Sequence, residues 1–165
     1  MKGPAPDNSS VSGAPDHAGV QVPPPLIYLA VFLVALGLQR VLPLPAISKM
    51  IGFRAGPIIV AVGIAFAAWS VGLFRQARTS LIPIKPTTAL IINGPYHFAR
   101  NPMYLSLLSV YVGAALMMRT LWALLLLPVV IVAVHYLVIR KEEQYLQRKL
   151  GEAFLSYKAS VRRWI

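Results

Sequence analysis

GPYHFARNPMY, residues 94–104, is the one stretch where Gly, Pro, aromatic residues, His, Arg and Asn crowd together against an otherwise aliphatic background. Asn101-Pro102 is a helix-start signal. An Asn side chain can cap the free backbone N–H groups of a first turn, and Pro at the first helical position loses nothing, because its missing N–H would have been unpaired there. Met103 to Met118 is apolar enough to follow as a membrane helix. The stretch therefore predicts a polar, aromatic loop that dives into a transmembrane helix. Arg100 stands beside that helix's positive end, a place that favours anionic ligand groups.

Composition agrees with a membrane chain. Of 165 residues, 57% are hydrophobic and 13% charged, and the mean hydropathy is +0.65. The formal charge of +11 does not point to nucleic acid, since so few polar residues leave no soluble scaffold to present a basic face. Basic residues flanking apolar spans fix topology and meet anionic headgroups instead. The chain has no Cys, which removes disulfides, thiolate nucleophiles and Cys metal sites together.

Residues 1–25, rich in Gly, Pro, Ser, Asp and Asn, bury too little apolar surface to order themselves and read as a disordered tail. They do not read as a signal peptide, because Lys2 is their only basic residue. Residues 26–165 form the membrane domain, with spans expected at 26–42, 57–74, 102–118 and 121–139. Pro43 and Pro45 stop the first, Ala46–Gly56 is expected along the interface, and Pro57 starts the second. Only Arg119-Thr120 separates the third and fourth, which forces a helical hairpin. Pro128 is placed to kink the fourth. Residues 140–164 continue as a cytoplasmic amphipathic helical segment broken at Gly151. The expected class is thus all-α integral membrane, with four transmembrane helices.

Four spans put the N-terminus, the 75–100 connection and the C-terminus on one side, with twelve Lys and Arg against four on the other. The positive-inside rule makes that side cytoplasmic. There the motif loop and the charged C-terminal segment meet.

With only five acidic residues in the chain, Glu142-Glu143 at the exit of the fourth span stands out. On a continuous helix His135, Glu142 and Lys149 share a face, and Glu143 lies to one side. Both glutamates could be solvated partners of Arg140 and Lys141, or Glu142 could bind a ligand's ammonium group at the headgroup boundary. His135, an intramembrane ionisable residue, is a functional candidate or a hydrogen-bonded core histidine. The three histidines lack ligand spacing, so no metal site is expected. Tyr96, Phe98 and Tyr104 suit an aromatic belt, but a belt has no need of the turn, cap and Arg that accompany them.

GPYHFARNPMY, the tight hairpin, and then EEQYLQRKLGEAFLSYKASVRRW together resemble the isoprenylcysteine carboxyl methyltransferase family. That family lies within the integral-membrane methyltransferases that include phospholipid N-methylating enzymes. The resemblance covers roughly Thr87 to Trp164. It implies S-adenosylmethionine as methyl donor, held by Thr88, Ala89, Leu90 and Ile91 of the loop, by Tyr96, by Asn101, Pro102, Met103 and Tyr104, and by Glu142. Arg100 and Glu143 are counted with the same pocket. The usual Arg-His-Pro reads Arg100-Asn101-Pro102, and a common Gly is Ser106. The Arg that holds an acceptor carboxylate is Val138 here, which leaves Arg140 as the nearest basic group.

The implied activity is carboxyl O-methylation of an isoprenylcysteine-like or other lipophilic acceptor, with membrane lipids as partners and neither nucleic acid nor metal. Amine or phospholipid N-methylation and small-thiol S-methylation are the alternatives within the enzyme class. An amine acceptor would bring in a base, His135 or Glu143. A non-enzymatic membrane scaffold or lipid-binding protein is the alternative outside it.

Overall fold

Pro23-Pro24-Pro25 sets the start of the first helix, α1 (Pro24–Val41), where proline's fixed φ suits the first turn. Pro43, just past its end, cannot continue it. The computed structural model describes residues 19–76 and 92–164, and every regular element among them is helical. Val20, ahead of α1, is already buried against the core.

The second helix, α2 (Lys49–Gln76), differs from the expected arrangement. Ala46–Gly56 is not a separate interfacial segment and Pro57 does not start a span; one helix runs through Pro57. Its support comes from a neighbour. Beyond the short turn α3 (Pro95–Phe98), the motif continues into α4 (Pro102–Met117), and α2 lies antiparallel along it. A methyl group built on Gly52 would fall 2.5 Å from the carbonyl oxygen of Leu116, one on Gly56 3.0 Å from that of Gly113, and one on Gly63 3.0 Å from that of Ser106. Small residues let the two backbones approach this closely, which holds the helix on both sides of the proline.

The opposite side of α4 carries Tyr104 and Tyr111, seven residues apart and both buried. Tyr28 and Phe32 of α1 meet the Tyr111 ring edge-on at 6.2 and 5.2 Å, so α1 runs parallel to α4. The return segment is α5 (Leu121–Leu125) and α6 (Leu127–Val134). Leu126 (φ −86°, ψ 1°) interrupts it, two residues before Pro128, where the lost N–H makes the break inexpensive. A π-helical turn, His135–Ile139, leads into α7 (Arg140–Leu150) and then α8 (Glu152–Ser160). The chain leaves α8 at Val161 in extended conformation, short of the helix to Trp164 that the sequence predicts.

At the end of the bundle away from the motif, side chains satisfy the carbonyls of the α1–α2 loop. Trp122 Nε1 donates to Leu42 O (2.7 Å), Gln39 Nε2 to Leu44 O (2.8 Å) and Arg119 Nε to Ile47 O (2.7 Å). A loop next to apolar surroundings needs these bonds. Two of the helices, Pro24–Val41 and the Lys49–Leu73 stretch of α2, are long and apolar enough to cross a membrane.

Gly113→Ala is expected to force α2 from α4, because its methyl would lie 2.6 Å from Val60 Cγ2 and 2.8 Å from Gly56 O. A loss of about 1–3 kcal/mol, read as a lower Tm in detergent, is the expected result. At Gly37 an added methyl meets nothing within 4 Å, so Gly37→Ala is neutral or stabilising by up to about 1 kcal/mol.

Candidate functional site

Gly94 opens the site with φ +60°, a left-handed conformation that L side chains rarely adopt. It turns the chain over Trp69 and Leu73 of α2, where a Cβ would meet Leu73 Cδ1 at 2.9 Å. The turn sinks Tyr96 into a small cluster with Phe154 and Tyr157 of α8. Tyr157 Oη donates to the carbonyl of Tyr96 at 2.6 Å. Phe98, by contrast, is exposed. The belt reading thus fits Phe98, while Tyr96 and Tyr104 are buried.

Tyr104 sits in the first turn of α4 and Glu142 in the first turn of α7. The Tyr104 hydroxyl donates to Glu142 Oε1 at 2.6 Å, and the Tyr28 hydroxyl donates to the Tyr104 carbonyl at 2.9 Å. Burial, reinforced by the charge of Glu143, pushes the Glu142 carboxyl up to about 7, with the Tyr104 hydrogen bond opposing the rise. Burial also carries the Tyr96 hydroxyl above its ordinary range and that of Tyr157 to about 12.

Glu143 has a different environment. Arg163 grips it with a two-pronged contact, Nε to Oε1 at 2.9 Å and Nη2 to Oε2 at 2.7 Å. Arg100 Nη1 lies 3.2 Å from Oε1. Burial alone would raise the Glu143 carboxyl, but the Arg163 hydrogen bonds and then the Arg100 charge hold it below its ordinary value. Glu143 is therefore an ionised, engaged group, and Glu142 is the acid poised near neutrality.

Two expectations are corrected here. Asn101 occupies the N-cap position of α4 without capping it. Its side chain donates instead to the carbonyl of Arg163 at 3.2 Å, because the extended C-terminal segment lies within reach. His135 and Glu142 do not lie on one continuous α-helix, since the π-helical turn between them widens the backbone and shifts the register. His135 packs edge-on to Tyr136 at 4.9 Å.

The structure thus brings Tyr96, Arg100, Asn101, Pro102, Tyr104, Glu142 and Glu143 to one end of the bundle. Pro102 is buried and Met103 half-buried in the first turn of α4. Arg140 is exposed, with its guanidinium 5.4 Å above the exposed Tyr136 ring. Thr88, Ala89, Leu90 and Ile91 lie outside the described residues. Arg163, Tyr157 and Tyr28 are the site residues that sequence reasoning missed. The scarcity of acids was a signal that each would have a partner, but not which of sixteen bases would serve.

Residues 51–153, well over half of the chain, match the family model described as phospholipid methyltransferase. A protein of Haemophilus influenzae named only "Uncharacterized protein" is 36% identical over 63 residues, which span 38% of this chain and all of that one. No solved structure matches the chain. The helices long and apolar enough to cross a bilayer and the family match give one conclusion: the chain is an integral-membrane methyltransferase, a member of the phospholipid methyltransferase family.

Proposed function

We propose that S-adenosylmethionine is the methyl donor and that its amino-acid end lies between Arg100 and Glu142. The supporting observation is a pair of complementary groups at the motif end of the bundle: Arg100, just ahead of α4, and Glu142, which accepts from Tyr104. The Arg100 side chain is nine-tenths buried, and its Nε and Nη1 have no hydrogen-bond partner among the described residues, so it suits a ligand carboxylate. Glu142, half-buried and held by Tyr104, suits an ammonium. A bound sulfonium donor supplies an activated methyl group for in-line displacement, and the protein's part is to orient the reactants and exclude water.

We read four membrane-crossing segments, with α4 and the Leu121–Ile139 segment joining α1 and α2. The motif end faces the cytoplasm, as the twelve-to-four distribution of basic residues favours.

The acceptor is lipophilic and reaches the site laterally from the bilayer. We favour an amine headgroup over the carboxylate implied by the isoprenylcysteine resemblance. A carboxylate acceptor needs a cation beside it, and Arg140 is two residues from Glu142, about 200° around an α-helix. Its guanidinium also stacks on the exposed Tyr136 ring. An amine must lose a proton before attack. Glu143 is unsuited to take it because Arg163 occupies both oxygens, which leaves His135 as the candidate base.

Stabilisation of the detergent-solubilised protein by S-adenosylhomocysteine is the expected result, since a ligand of the folded state alone raises its stability. No shift would overturn the donor reading. Glu142→Ala and Tyr104→Ala are expected to weaken binding by about tenfold or more; unchanged affinity in both removes the site assignment. Radiolabelled methyl transfer into membrane lipids and a prenylcysteine mimic separates the acceptors. A methyl label that base does not release supports the amine, and one released as methanol, from a methyl ester, the carboxylate.

The acidity of Glu142 sets a pH dependence. Below about 7 its carboxyl is protonated and offers no charge to an ammonium; above that value it is ionised. Affinity for S-adenosylhomocysteine is therefore expected to rise from about pH 6 to about pH 8. Titration calorimetry on Glu142→Gln should show weak binding with that rise removed.

A further inference from the structure

We propose that Arg163 is a positioning residue: by gripping Glu143 it keeps Arg100 free to take the donor's carboxylate. This rests on the methyl-donor reading above. Two guanidinium groups share one carboxylate, and they share it unequally. Arg163 takes both oxygens in the aligned fork (2.9 and 2.7 Å). Among the described residues Arg100 has one ionic contact, at 3.2 Å and off the hydrogen-bonding direction, and its Nε and Nη1 have no acceptor. A carboxylate engaged face-on by one guanidinium cannot offer the same face to a second.

The backbone explains why Arg163 wins. The segment after α8 lies across the motif loop, where Arg100 N donates to Arg162 O at 3.0 Å and Asn101 Nδ2 donates to Arg163 O at 3.2 Å. Trp164 packs on the main hydrophobic core. Bonds to the two residues that open α4, and an aromatic anchor beyond them, set the Arg163 side chain against Glu143. Once Arg163 is removed, the Glu143 side chain, only 11% exposed, is left charged without its main partner, a costly state. The Arg100 guanidinium lies beside it. A small rotation closes a paired Arg100–Glu143 contact, which consumes the N–H groups meant for the ligand.

The test measures binding of S-adenosylhomocysteine and of 5′-methylthioadenosine, which lacks the amino-acid end, by calorimetry and thermal shift. Arg163→Gln is expected to weaken the first ligand by about tenfold or more and leave the second unchanged. Adding Glu143→Gln should restore most of the lost affinity, because an amide has no charge to capture Arg100. A merely structural role for Arg163 predicts the reverse on both counts, so equal weakening of the two ligands, or a double variant no tighter than the single one, overturns the proposal. Arg163→Lys keeps the charge but not the fork. If Arg163→Gln does not fold, Arg163→Lys is expected to lose affinity for S-adenosylhomocysteine alone, and equal loss for both ligands overturns the proposal. Arg100→Gln separates the two layers. Unchanged S-adenosylhomocysteine affinity there overturns the donor reading itself, whereas its loss, with no rescue by Glu143→Gln, overturns only the role of Arg163.

Discussion

The hydrogen bond from the Tyr104 hydroxyl to Glu142 (2.6 Å) joins the start of α4 to the start of α7 across 38 residues of sequence. It sits where a carboxyl is costly to bury and a tyrosine hydroxyl costly to leave unpaired, so each group meets the other's need. Around it the Tyr28 hydroxyl binds the Tyr104 backbone, and Tyr157 ties α8 to the motif turn. Three hydroxyl groups from three helices thus converge on one end of an otherwise aliphatic bundle. That convergence separates a buried polar site from an interfacial aromatic belt.

α4 makes the convergence possible because its two sides pack differently. Toward α2 it offers small residues and exposed backbone, so the helices lie in near contact along their length. Toward α1 and the return segment it offers tyrosines, whose hydroxyl groups find backbone partners: Tyr111 Oη donates to Ala123 O at 3.0 Å. Close backbone packing on one side and hydrogen-bonded rings on the other both resist sliding. The first turn of α4 is therefore a fixed platform for the motif.

The two adjacent glutamates show how packing gives different chemistry to identical side chains. One is bonded to a neutral hydroxyl in a poorly solvated place and rises toward neutrality. Its neighbour, turned by one residue, meets two guanidinium groups and stays ionised. The first is suited to a charged ligand and the second to holding the protein's own cations in place. A family match to phospholipid methyltransferases fits a site with little acid–base apparatus, because the sulfonium donor proposed above would bring its own activation.

The sequence by itself determined the helical class and the positions of α1 and α4, and it singled out 94–104 and Glu142, which the structure brings together. These follow from local properties: runs of apolar residues, proline at helix starts and the rarity of acids. Other features were decided only by the tertiary structure. Pro57 lies inside a helix because α4 flanks it on both sides, which no local propensity reports. Asn101 gives up its cap because a carbonyl 62 residues later comes within 3.2 Å. The π-helical turn at His135–Ile139 moves Glu142 out of the register that a uniform helix assigns. Arg163, read from sequence as one basic residue among many, became a partner of Glu143 once the chain turned back across the motif. Composition and spacing act over a few residues, whereas these outcomes depend on which distant groups meet in an apolar medium where unpaired polar groups are costly.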